Sequence, residues 1–548
     1  MHLRVLALGT TLLALASPLA AASTSSLTLP VITWSACPAS ETDIYPVLGS
    51  RVSCARIPVP VDHRNPSVGT IDLGLIRVRA SRAVERKGAI FINFGGPGGS
   101  PMNDLPDMAA DWARGNPDDT LEGARKKLVD HFDLIGIVPR GMRGGWTFEC
   151  MPVVTSAYDF IPTNTDDANM RRVEMQAADE VRRCNENPFY KYVNTEQNAR
   201  DMEYVRRALG EPKLNYLGIS YGTWLGSWYA SMYPEHVGRM VFDSTVDVTR
   251  TMADAVNLAH EAQDETLARR VLRPIAAQPA VYRMGSDIEA LRRRMREMHP
   301  KTRQKLAPMI RTPAGFLAAM RLDDWVHAGY GANKAALVRL IARTRFHENA
   351  TADAAIRLGA SHMLDVLFSE IPMDPYQLGP DGDSVHMATI CNDDTWPSGL
   401  AYWQEVARTD AHRFPVSNGE NAYIGLYCGQ WGPRDVQRPD LVRLMDAPPI
   451  LMVQAEYDGK TPLSGARQMR ETFDNLYLVI ARNLEDHGIY GRTRTPCVEL
   501  AVPRFFLEGA LPLARTTSCV EEKRTDLAPV SPEHAPEHTE FWRRIRPW

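Results

Sequence analysis

Gly218-Ile219-Ser220-Tyr221-Gly222 joins an apolar run, Leu214 to Leu217, to a helix-like run, Thr223 to Met232. A chain that passes from strand to helix within so few residues must turn sharply. Flanking glycines permit the turn and lift the serine hydroxyl clear of a sheet, where a histidine can deprotonate it. A bare G-x-S-x-G also occurs in surface turns; the strand before it and the helix after it favour a nucleophile elbow. With the further strand and helix runs along the chain, that junction predicts strands alternating with helices around a mostly parallel sheet.

Two further segments supply the remaining parts of an acyl-transfer site. Ala89 to Phe94 reads as a buried strand and runs into Gly95-Gly96-Pro97-Gly98-Gly99-Ser100, a loop without bulky side chains. Such a loop brings backbone N–H groups close to a substrate, and an oxyanion hole would take one N–H from Tyr221 and one from Gly96. A phosphate-cradling reading fails, because no G-K-[ST] follows and the G-x-G-x-x-G spacing is absent. Downstream, Pro449 to Gln454 is a strand that ends in Ala455-Glu456-Tyr457-Asp458-Gly459-Lys460-Thr461-Pro462, and Leu476 to Ile480 ends in Ala481-Arg482-Asn483-Leu484-Glu485-Asp486-His487-Gly488. Acids and histidine thus fall just past strand ends, where open α/β sheets place their chemistry. The order is Ser220, Asp458, His487, which is that of serine, acid, histidine hydrolases. Glu456 and Asp486 compete for the acid role. Asp458 is favoured because Asp-Gly before Thr-Pro makes a turn at the strand end, whereas Asp486 adjoins the histidine. Of 14 histidines, His487 stands apart by its loop position, one strand-helix-strand interval after the acid.

Asn93 to Ser100, Phe132 to Gly136, Pro139-Arg140-Gly141, Gly218 to Gly226 and the Asp458 and His487 loops together resemble the secreted tripeptidyl aminopeptidase family. This family belongs to the α/β-hydrolase superfamily and is related to proline iminopeptidases. The likeness runs from about Trp34 to about Cys519. It implies an α/β-hydrolase fold, a mostly parallel central sheet with an inserted helical cap, and Ser220 as nucleophile, Asp458 as acid and His487 as base. Two departures stand out. Ile137-Val138 precedes Pro-Arg-Gly where the family has a small or aromatic residue and an acid, and Ser244 follows Asp243 where the family has glycine.

Met1 to Ala22 has a short basic start, an apolar stretch and Ala20-Ala21-Ala22 as a small-residue cleavage site, so it reads as a secretory signal and predicts a secreted or periplasmic protein. No later stretch approaches the roughly 20 apolar residues of a membrane span. Export permits disulfides among Cys37, Cys54, Cys150, Cys184, Cys391, Cys428, Cys497 and Cys519. Sequence alone cannot fix the pairing; joining neighbours gives Cys37–Cys54, Cys150–Cys184, Cys391–Cys428 and Cys497–Cys519. A zinc site lacks any C-x-x-C or close His/Cys cluster, and neither metal nor cofactor is expected. A net charge of −4 without a basic stripe argues against nucleic acid.

Thr33 to Pro58 reads as a cysteine-bounded leader, Thr70 to Val78 as an early antiparallel strand, and Asp133 to Ile137 and Met240 to Phe242 as further strands. Strand signals stop from about Asp247 to about Pro397. There Met252 to Ala276, Asp287 to Met298, Ala314 to Trp325, Lys334 to Arg345 and Ala352 to Phe368 read as amphipathic helices. The expected organisation is a signal over 1–22, a catalytic domain over 23–246 and 398–519, a helical cap over 247–397 that shapes the substrate pocket, and an extension over 520–548.

These readings converge on a serine exopeptidase that releases short peptides (tripeptides) or single residues from peptide substrates with a free N-terminus. Such an enzyme needs a group that pairs with the substrate ammonium. Glu456, Asp393 and Asp394 are candidates, the latter two because Cys391-Asn392-Asp393-Asp394 resembles a family cap-end motif. A carboxylesterase or lipase-like hydrolase would use the same triad, since fold does not fix the leaving group. A binding module without activity is disfavoured by the complete triad and oxyanion loop.

Overall fold

The computed structural model describes residues 29–38, 46–151, 164–369, 379–415, 420–493 and 495–520. The signal reading over 1–22 and nearly all of the extension over 520–548 lie outside the described residues. Among the described residues nine strands form one sheet: β1 (Val52–Pro60), β2 (Thr70–Val78), β3 (Ala89–Asn93), β4 (Asp133–Ile137), β5 (Leu214–Ile219), β6 (Val237–Asp243), β7 (Ile450–Ala455), β8 (Leu476–Arg482) and β9 (Thr516–Val520). Their order is β1-β2-β4-β3-β5-β6-β7-β8-β9. β2 runs antiparallel to β1 and β4, and every pairing from β4 to β9 is parallel.

Parallel strands need crossovers that cover both faces of the sheet, so they read as unbroken apolar runs. All of β7 is buried, as is all of β3 but Asn93. The first helices are α1 (Pro101–Arg114), α2 (Thr120–His131), α3 (Asp167–Asn185), α4 (Thr195–Ala208), α5 (Tyr221–Met232) and α6 (Met252–Leu267); α1 and α5 pack on the strands directly, as do the later helices Leu463–Thr472 and Pro496–Glu508. Ser100, Asp119, Asp166, Asn194 and Thr251 cap α1, α2, α3, α4 and α6 by accepting from N–H groups of the first turn. β1 overlaps the end of the segment read as a leader and extends past it to Pro60. Pro58 and Pro60 argue against a central strand, and β1 sits at the sheet edge, where a missing N–H is tolerated.

Between β6 and β7 the described chain is helical. Buried residues from Leu267 to Leu367 build a hydrophobic cluster of their own. This span is narrower than 247–397, because Val248 and Met252 at one end and Val385, Ile390 and Cys391 of the helix Gly379–Asp393 at the other join the core around the sheet. The disulfides join Cys37 to Cys54, Cys150 to Cys184, Cys391 to Cys428 and Cys497 to Cys519. Arg140, in the turn after β4, is buried; its Nε and Nη2 donate to Asp201 at 2.5 and 2.8 Å, and its guanidinium also reaches the carbonyls of Pro60 and Val61. No helix among the described residues is long and apolar enough to cross a membrane.

Candidate active site

Ser220 stands between β5 and α5 with φ +58° and ψ −124°, a conformation that residues other than glycine rarely adopt. Its N–H donates to the Asp243 carbonyl at 2.9 Å, and its carbonyl accepts from Thr223 N and Oγ1 at 2.8 and 2.7 Å. The flanking glycines are required by close packing. A Cβ on Gly218 would stand 2.5 Å from the Gly222 carbonyl oxygen, and one on Gly222 2.8 Å from that of Asn93. The strained φ therefore falls on the serine itself, while the glycines let α5 approach the sheet.

Tyr221 is the first residue of α5, so its N–H has no acceptor within the helix. In the facing loop the Gly95 N–H is held by Asn93 Oδ1 at 2.9 Å. A Cβ on Gly95 would stand 3.0 Å from that of Ser220, so the loop presses on the elbow. Gly96, Pro97, Ser220 and Tyr221 border one cleft, which α6 and the helix Gly379–Asp393 close from above with Ala259, His260, His386 and Ile390. His386 Nδ1 lies 3.1 Å from the Pro97 carbonyl, which fixes Nδ1 as the protonated nitrogen and ties that loop to the helix.

Asp458, just past β7, is buried. Its Oδ1 accepts from Lys460 N and Thr461 N at 2.8 and 2.9 Å, and its Oδ2 from Thr461 Oγ1 at 3.0 Å. His487 Nδ1 lies 3.0 and 2.9 Å from the two oxygens. Burial pushes this carboxyl up, but the His487 charge and hydrogen bond, with the two backbone donors, outweigh it and hold Asp458 below its ordinary value. Donation from Nδ1–H leaves Nε2 as the acceptor. The two halves of the arrangement meet at their neighbours: a Cβ on Gly488 would stand 3.1 Å from Ile219 Cγ2.

Residues that the sequence reading did not assign hold the histidine loop. Ser244 Oγ accepts from Gly488 N at 2.7 Å, Asp243 Oδ1 and Oδ2 accept from Ile489 N and Tyr490 N at 2.9 and 2.8 Å, and Glu499 accepts from Gly491 N at 3.0 Å. The Asp243-Ser244 departure was the available signal. Both acids are fully buried, and burial raises both carboxyls, that of Glu499 to about 8. The helical region grips the same loops. Arg269 and Arg270 pair with Glu485, and the Arg269 guanidinium lies 3.6 Å from the Tyr457 ring centre.

The three acids considered for an amine lie elsewhere. Glu456 Oε2 accepts from Asn483 N at 2.9 Å. Asp393 accepts from the N–H and hydroxyl of Thr195, whose hydroxyl also meets the Tyr221 phenol at 2.6 Å. Asp394 Oδ2 accepts from Met252 N at 2.8 Å and so caps α6. None of the three is among the residues lining the cleft. Among the described residues the carboxylate that meets His487 Nδ1 is that of Asp458, not of Asp486. Among the described residues no cluster of His, Cys, Asp and Glu could hold a metal ion.

Comparison with known proteins gives a consistent picture. A family model described as TAP-like protein matches residues 415–519. The tripeptidyl aminopeptidase of Streptomyces lividans is 27% identical over 479 residues, covering 85% of this chain and 83% of its own. A serine protease of Mycobacterium tuberculosis is 31% identical over 234 residues, 39% of this chain and 40% of its own. Carboxylesterase B of the same species is 32% identical over 228 residues, 40% of each chain.

Proposed function

We propose that this chain, which is similar over most of its length to a tripeptidyl aminopeptidase, is a secreted serine exopeptidase of the α/β-hydrolase superfamily, releasing tripeptides or other short N-terminal pieces, in which Ser220, His487 and Asp458 form the triad. The observation that carries the reading is the His487–Asp458 pair, with Nδ1 2.9 Å from Oδ2 and His487 on a loop whose next residue, Gly488, packs against Ile219 beside Ser220.

In this mechanism Ser220 Oγ attacks the scissile carbonyl carbon while His487 Nε2 takes the hydroxyl proton. Asp458 keeps the imidazole in the Nδ1–H tautomer and stabilises the imidazolium that forms. The N–H groups of Tyr221 and Gly96 receive the oxyanion, a contribution of roughly 3–4 kcal/mol per donor. His487 then returns the proton to the leaving amine, the peptide bond breaks, and an acyl-enzyme remains on Ser220. Water, deprotonated by His487, releases the N-terminal fragment. Four disulfides support an exported protein.

A carboxylesterase is the second reading, favoured by the partial likeness to carboxylesterase B. Turnover of free-amine tripeptide anilides against short acyl esters separates the two. Mass spectrometry of products from an unblocked peptide library gives the number of residues removed. Ester turnover without anilide cleavage sinks the exopeptidase reading.

A further inference from the structure

A free N-terminus enters the cleft as an ammonium ion, so a site that prefers it must offer it negative charge or an unoccupied acceptor. Four ionisable side chains border the cleft: Asp247, Lys460, His260 and His386. Asp247 is engaged on both oxygens, Oδ1 by the N–H and hydroxyl of Thr249 and Oδ2 by Arg250 Nε at 3.0 Å. Lys460 is a cation. His386 is turned by its bond to the Pro97 carbonyl.

His260 differs. It projects from α6, is 2% exposed, and stands edge-on to Phe414 with ring centres 6.0 Å apart. Its Nδ1 lies 3.8 Å from Asp410 Oδ2, and neither atom has a hydrogen-bond partner among the described residues. Asp410, on the helix Leu400–Arg413, is 8% exposed and does not line the cleft, so it stands behind the ring. Two unpaired polar atoms facing one another inside a protein are costly, and the cost falls when Nδ1–H points at the carboxylate. Nε2, on the opposite edge of the ring, then carries its lone pair toward the cleft.

We propose that His260 and Asp410 read the free α-amino group of the substrate. The imidazole Nε2 accepts a hydrogen bond from the ammonium, and the Asp410 carboxylate supplies the balancing charge through Nδ1–H. The inference rests on the exopeptidase reading and identifies what recognises the N-terminus. An acetylated substrate lacks the cation that the pair would read.

The test measures kcat/KM for a tripeptide p-nitroanilide with a free and with an acetylated N-terminus, and for p-nitrophenyl acetate, in wild type, Asp410→Asn, His260→Leu and His260→Gln, with thermal melts as a check on folding. Wild type is expected to prefer the free peptide by about 100-fold or more, and Asp410→Asn to reduce that preference about 10-fold. Asp410→Asn keeps the shape behind the ring and does not touch substrate, so a purely structural role leaves the preference unmoved. His260→Leu should abolish most of the preference, and His260→Gln, which retains an acceptor, should restore part of it. Equal losses on free and acetylated peptides in all three variants overturn the inference while leaving the exopeptidase reading intact. A wild type that cleaves the ester but neither anilide overturns that reading, and this inference with it.

Discussion

The carboxylate of Asp243 lies 2.8 Å from the backbone nitrogen of Tyr490, 247 residues further along the chain. With the Ile489 bond, it fixes the segment that follows His487 to the end of β6. An amide in its place offers one acceptor to two N–H groups, and the orphaned donor costs about 1–3 kcal/mol. Asp243→Asn is therefore expected to lower kcat on an acyl ester by about 10-fold or more, with KM little changed, since a displaced His487 weakens proton transfer rather than binding. Ser244→Gly loses the bond from Gly488 but relieves a φ of +60°, and should cost far less. Steady-state kinetics of the two variants check the ranking; similar losses would show that the loop is held by other means.

Ser220→Ala should leave a folded protein whose turnover falls by several orders of magnitude, and phosphonylating reagents should label Ser220 alone in the wild type. Asp458→Asn should approach that loss on both esters and peptides, because an amide facing Nδ1 no longer enforces the productive tautomer. Wild-type rates in the alanine variant would remove Ser220 from the mechanism.

Burial, opposed by the Thr195 hydrogen bonds, pushes the Asp393 carboxyl from 3.8 up to about 7. The folded chain then retains a proton that the unfolded chain has released, so the stability this group confers is full below about pH 4, falls as pH rises through 7, and is gone above. Asparagine resembles the protonated form at every pH. The Tm of Asp393→Asn minus that of wild type should accordingly increase by about 2–4 °C between pH 4.5 and 8. A difference independent of pH would mean that Asp393 is ionised in its buried site.

Arg140→Lys should destabilise the fold by about 3–5 kcal/mol, because an ammonium cannot span the Asp201 carboxylate and the carbonyls of Pro60 and Val61, and the carboxylate is left without its matched partner. Chemical denaturation measures it. A loss near zero would show that His63 Nε2, 2.7 Å from Asp201, suffices to hold that corner.

The sheet was legible because its parallel strands are covered on both faces and read as apolar runs, and because Asp458 and His487 follow such runs directly. The turn that favoured Asp458 over Glu456 is visible in the bonds from Lys460 and Thr461, while Glu456 faces Asn483. Other parts left no periodic trace. The helix Gly379–Asp393 is buried on nearly every side, so no apolar stripe distinguishes its faces. Asp243 and Ser244 act on a loop 244 to 247 residues away, and His260 and Asp410 meet only once two helices pack; spacing encodes neither.

Each disulfide joins a cysteine to the next one in the sequence, with separations of 17, 34, 37 and 22 residues. A chain threaded N-terminus first into an oxidising compartment therefore presents the correct partner immediately after each new thiol, before any competitor has emerged. Native pairing then follows from order of arrival, and an oxidant without the power to reshuffle wrong bonds is sufficient to complete it.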